Sequence, residues 1–125
     1  YATQLVAKHG VPAVLINPAM RPWRLFRDLF GIEQIPFKVT EQWTLDNAQL
    51  DYLERIAVPF VQDASKIMVL LQQGDEVLDY REAERYYSAV SPTSLIMTEM
   101  NGSHAMENFA DKLPMIFEFL SYSVK

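Results

Sequence analysis

The sequence predicts an α/β protein built on a parallel sheet, and three observations carry that prediction. Short apolar runs at residues 12–16 and 67–71, with a third around Leu95, Ile96 and Met97, are the signature of buried strands. Stretches with helical periodicity lie between and around them, and strands alternating with helices imply parallel pairing through right-handed crossovers. Half of the 125 residues are hydrophobic, enough for the core of one domain and too short a chain for two.

Taken in order, residues 1–8 read as a helix carrying Leu5 and Val6, closed at His9-Gly10, where glycine takes the left-handed conformation. His9 is a polar residue of the last turn, favourable to the helix dipole. The run from Pro12 to Ile16 is a strand stopped by Asn17-Pro18. Pro22 then stands where a helix begins and Gly31 where it ends. Between them Trp23, Phe26 and Phe30 share one face, a packing stripe rather than a ligand box. Residues 31–44 are irregular. Asp46 with Gln49 forms a capping box for a helix whose Leu50, Leu53 and Ala57 lie on one side.

Residues 67–71 are the second strand. It breaks at Gly74, is followed at once by Asp75, and hands over to a helix near Tyr80 with Asp79 as its N-cap. Ala83, Tyr86 or Tyr87, and Val90 form that helix's inner face before Ser91-Pro92 ends it. Residues 94–99 are the third strand, closed by Asn101-Gly102. The last helix has a continuous stripe of Leu113, Ile116, Phe117, Leu120 and Val124. The span of residues 20–65 is long for a crossover, and such excursions serve as lids or pocket walls or as plain structural insertions.

Composition narrows the function. The net charge of −5 is spread along the chain without a Lys/Arg cluster, so no nucleic-acid face is expected. No apolar run approaches the ~20 residues of a membrane-spanning helix, so no membrane role is expected. The chain has no cysteine, which rules out disulfides and suits a cytoplasmic location. It opens on Tyr1 inside a helix-like stretch, and the strand at 12–16 needs a neighbour to cover its apolar edge. The expectation is a piece of a longer protein.

The chemistry gathers at two loop tips. Ligands of open α/β sheets sit beyond the carboxyl ends of the strands. Asp75 and His104 occupy such places 29 residues apart, about one helix and one strand. That spacing sets neighbouring loops side by side, where a carboxylate can orient an imidazole and stabilise its charged form. The histidine would then work as a general base near neutral pH. Glu76 is the weaker carboxylate, since an extended turn points it away. A metal site from Asp75, Asp79 and His104 lacks a recognised ligand spacing. No Gly-x-Ser-x-Gly elbow occurs, and Ser103 lies on no strand-to-helix turn. An acid and a base are visible without a nucleophile.

Three stretches carry a resemblance: Ile16-Asn17-Pro18-Ala19-Met20-Arg21-Pro22, then residues 70–83 (LLQQGDEVLDYREA), then Gly102-Ser103-His104-Ala105. Together they resemble the YqiA-type esterase family of bacterial α/β-hydrolases, with Ser103 standing where asparagine is expected. The resemblance spans nearly the whole chain. It implies an α/β-hydrolase-type parallel sheet, here its last three strands and flanking helices without the first strands, in a single domain with a lid or pocket insertion at about residues 20–65. It implies Asp75 as acid and His104 as base of a Ser-Asp-His triad, with the serine and oxyanion-hole amides upstream of Tyr1. The expected substrate is a small-molecule acyl ester or thioester, and no cofactor or metal is called for. Trp23, Phe26 and Trp43 are expected as apolar walls of the acyl pocket. Arg21 either attracts an anionic substrate group or makes an exposed salt bridge, and the second is preferred because lone surface charges do little. The rivals are a non-catalytic binding module on the same fold and a metal-assisted hydrolase.

Overall fold

The computed structural model of the chain describes residues 1–31 and 35–124. It is a mixed α/β structure with two compact units: Tyr1–Ala19 with Val58–Lys125, and Met20–Ala57.

The first unit holds helix α1 (Ala2–His9), strands β1 (Ala13–Ile16), β4 (Ile67–Gln72) and β5 (Leu95–Glu99), and helices α4 (Tyr80–Ser88) and α5 (Leu113–Ser123). The three strands form one parallel sheet in the order β1-β4-β5, with Ile16 opposite Leu70 and Gln72 opposite Glu99. β4 is central, and every one of its residues is buried. Successive strand residues face opposite sides. Met68 and Leu70 therefore join Met106 and Ile116 in one cluster, while Ile67, Val69 and Leu71, facing the other way, are equally buried. That double burial explains the uninterrupted apolar run.

The outer strands depart from the expectation of three buried strands. β1 is half-buried with Ile16 exposed, and Leu95 and Met97 of β5 are exposed as well. Each flanks β4 on one side only, so an apolar sequence identifies a strand without saying how much of it is covered. The stripe on α5 is also displaced. Ile116 is buried with Met115, Phe119 and Leu120 packed around it, whereas Phe117 and Val124 face outward. Met115 and Phe119 are spaced as well with Ile116 as Phe117 and Leu113 are, and only the position of the sheet selects between the sets.

The expected helix ends are largely present. α1 closes at Gly10 in the left-handed conformation. Asp79 caps α4 by accepting the Arg81 N–H at 3.0 Å. Ala83 and Tyr87 are the buried residues of α4, and the Tyr87 hydroxyl bonds Thr3 Oγ1 at 2.7 Å, tying α4 to α1.

The second unit holds α2 (Pro22–Phe30), the paired strands β2 (Phe37–Lys38) and β3 (Thr44–Leu45), and α3 (Asn47–Ile56). Trp23, Phe26 and Phe30 pack on Ile35, Leu45 and Leu50, so the α2 stripe serves this unit's own core. Arg27 bridges to Asp51 at 2.5 Å, joining α2 to α3. The capping box is complete: Asp46 Oδ1 accepts the Gln49 N–H at 2.9 Å, and Gln49 Oε1 accepts the Asp46 N–H at 3.1 Å. Ala57 is the cap of α3 rather than a member of its inner face. The antiparallel β2–β3 pair replaces part of the expected irregular stretch; two residues per strand are too few to leave a period-2 signal. Residues 32–34 of that stretch lie outside the described residues. Residues 58–65, counted with the insertion from sequence, group with the sheet-bearing unit.

Candidate active site

Both loop tips are built by glycine. Beyond β4 the chain turns sharply, with the Asp75 N–H donating to the Gln72 carbonyl at 3.1 Å. Beyond β5 it turns through Gly102, whose φ of +105° is open to glycine and strained for other residues. The two turns touch: a Cβ on Gly74 would run into the Gly102 carbonyl oxygen, and a Cβ on Gly102 into the Gln72 carboxamide. Only bare backbone at both positions lets neighbouring loops approach this closely.

The approach brings the Asp75 carboxylate to the His104 imidazole. His104 Nδ1 lies 2.9 Å from Asp75 Oδ2. With Nδ1 committed to the carboxylate, Nε2 is the ring nitrogen left to exchange a proton with a reacting group. Asp75 Oδ1 accepts the N–H groups of Val77 at 2.8 Å and Leu78 at 2.9 Å. The Asp75 side chain is 2% exposed and that of His104 40% exposed, a shielded carboxylate beside an accessible imidazole. Burial opposes the charge on Asp75, but the hydrogen bonds from His104, Leu78 and Val77 outweigh it and hold the carboxyl below its ordinary value of 3.8.

The neighbouring acids separate by role. Glu76, expected to point away, instead accepts the His104 backbone N–H with Oε2 at 3.2 Å. The turn is compact rather than extended, so its next side chain folds back toward the other loop. Asp79 is engaged by Arg81 through both its backbone N–H and its guanidinium, which hold its carboxyl below the ordinary range. Among the described residues no three His, Asp or Glu side chains converge as a metal-ligand set. Ser103 Oγ donates to Glu107 Oε1 at 2.8 Å and is not directed at the imidazole.

A polar network lies beside the pair. Gln72, 1% exposed, donates to Glu99 Oε1 at 2.7 Å, and Glu99 also receives Lys112 Nζ at 2.5 Å and Asn108 Nδ2 at 3.2 Å. These bonds lock the ends of β4 and β5 to the segment that follows His104. They also hold the Glu99 carboxyl below its ordinary value, chiefly through Lys112.

The expected substrate-binding residues all belong to the second unit. Arg21 is the N-cap residue of α2. Trp23 and Phe26 are half-buried against that unit's core, and Trp43 is 48% exposed just before β3.

Asn17 is the residue that the sequence reading missed. Read only as a strand stop, it is 5% exposed and its carboxamide reaches the end of β4 and the His104 loop. A polar side chain directly after an apolar strand was the available signal. Its long-range partners, 55 and 87 residues away, leave no local trace.

A family model described as "Uncharacterised protein family (UPF0227)" matches residues 1–121, and the chain belongs to that family, which includes the YqiA-type esterases that the sequence resembles.

Proposed function

We propose that this member of the UPF0227 family carries the acid and the base of a serine carboxylic-ester hydrolase acting on small-molecule acyl esters or thioesters. The 2.9 Å contact between His104 Nδ1 and Asp75 Oδ2 is the observation that supports this reading most directly. In the proposed reaction His104 Nε2 takes the proton of a serine hydroxyl as its oxygen attacks the acyl carbonyl. The imidazolium returns that proton to the leaving alkoxide or thiolate. Water then attacks the acyl-enzyme with His104 again as the base, releasing the carboxylic acid and restoring the serine. Asp75 stays ionised throughout, holding the imidazole's tautomer and its positive charge. The lowered pKa of Asp75 accords with that duty.

The sequence contains no nucleophile elbow, and in this proposal the serine and the oxyanion-hole amides come from polypeptide preceding Tyr1. Substrate binding is assigned to Trp23, Phe26 and Trp43, with Arg21 the weaker candidate for an anionic substrate group. Of the three aromatics Trp43 has the most free apolar surface, since the other two already pack within their own unit.

Turnover of a chromogenic acyl ester by the full-length protein provides the test. His104→Ala is expected to lower kcat roughly 10⁴-fold or more. Near-wild-type turnover in a folded His104→Ala variant removes His104 as the base and with it the triad, and absence of turnover in the folded wild-type protein leaves a non-catalytic binding module.

A further inference from the structure

We infer that Asn17 is a positioning residue for His104: its buried carboxamide fastens the backbone of the histidine loop to the far side of the sheet and so sets where the imidazole sits. The inference rests on the acid–base reading above.

The geometry is specific. Asn17 follows β1 directly with φ of +43°, a left-handed conformation that Asn tolerates and that glycine would adopt without strain. What glycine lacks is the side chain, and every polar atom of it is used. Oδ1 accepts the Gln72 backbone N–H at 2.9 Å. Nδ2 donates to the carbonyls of Ser103 at 3.3 Å and His104 at 2.9 Å. One N–H needs an acceptor and two carbonyls need donors, so these partners also dictate the orientation of the amide. The Asn17 main-chain N–H donates to the Leu70 carbonyl at 2.9 Å, anchoring the residue to β4.

Sheet order explains why such a fastener is required. β1 and β5 are separated by β4, so no ladder hydrogen bond connects the end of β1 to the loop after β5. Asn17 spans that gap through side-chain bonds alone. His104 is thereby held at three points from two segments: its ring by Asp75 and its N–H by Glu76, both of the loop after β4, and its carbonyl by Asn17 after β1. Without the last, the loop can turn about Gly102, and the imidazole loses the placement from which Nε2 works.

Two variants of the full-length protein separate this role from plain stability. Asn17→Gly keeps the backbone conformation and deletes the carboxamide. Asn17→Asp keeps an acceptor for Gln72 but sets a carboxylate oxygen against the two carbonyls. Both are expected to lower kcat about 10- to 100-fold through misplacement of the base, with KM changed by less than about threefold. In NMR spectra both are expected to lose the sharp His104 Nδ1–H resonance that the Asp75 bond shelters. Folded variants that keep wild-type kcat and that resonance overturn the inference, whatever happens to their thermal midpoint. Should neither variant fold, hydrogen exchange of the wild-type Asn17 side-chain amide decides. Protection like that of the β4 amides supports the fastening, and exchange as fast as in an exposed loop overturns it. The resonance also keeps the two ideas apart: its loss in the Asn17 variants, beside a fully active His104→Ala, retains the fastening and removes His104 as the catalytic base.

Discussion

Asp75 titrates below its ordinary value of 3.8 because three hydrogen bonds to its charged form outweigh burial. A depressed folded-state pKa means that the unfolded chain binds the proton more readily. The stability contributed by the charged carboxylate is therefore fully present above about pH 4 and is lost as pH falls through the folded value. Asp75→Asn is expected to show a smaller loss of stability between about pH 4 and pH 2 than the wild type, checked by urea unfolding across that range. At this scale the Asp75–His104 pairing was legible, because a carboxylate and a histidine each follow a strand and a glycine turn. Glu76 and Asn17 were not, since their hydrogen bonds reach residues remote in sequence. The inward choice of Phe119 over Phe117 was equally hidden, because both satisfy helical spacing.

Among the elements, the two turns matter most. They meet because Gly74 and Gly102 bring no side chain between the loops. Gly74→Ala forces a methyl group onto the Gly102 carbonyl, which is backbone and cannot swing aside. A destabilisation of about 1–3 kcal/mol is expected, as for overpacking generally, together with loss of the Asp75–His104 bond. Chemical denaturation and the His104 Nδ1–H resonance read the two effects separately, and a stable Gly74→Ala protein with an intact resonance contradicts the account. Helix ends were legible because capping is local: Asp46 with Gln49, Asp79, Pro22 and Gly31 all act within a turn of where they stand. The β2–β3 pair was illegible for the opposite reason, being defined by pairing and not by pattern.

For the whole molecule, β4 is the element on which both the sheet and the site depend. It pairs on both edges, is covered on both faces, and ends one turn before Asp75. Leu70→Ala removes a side chain that is 1% exposed within the Met68–Met106–Ile116 cluster. The expected cost is about 2–5 kcal/mol, the range for large-to-small core substitutions, measured as a shift in denaturation midpoint at unchanged slope. A cost below about 0.5 kcal/mol, typical of surface positions, would contradict β4 as the central strand. No described helix is long and apolar enough to cross a membrane.

Period and punctuation in the sequence were sufficient for the order of the helices and the three parallel strands and for the two residues at the loop tips, because each depends on neighbours a few positions apart. The coverage of each strand, the face that α5 turns inward and the fastening of His104 by Asn17 emerged only in three dimensions. Those properties depend on which segments become neighbours across the sheet. A part-buried hydrogen bond between residues 87 apart is set by the sum of the intervening chain and by no local pattern within it.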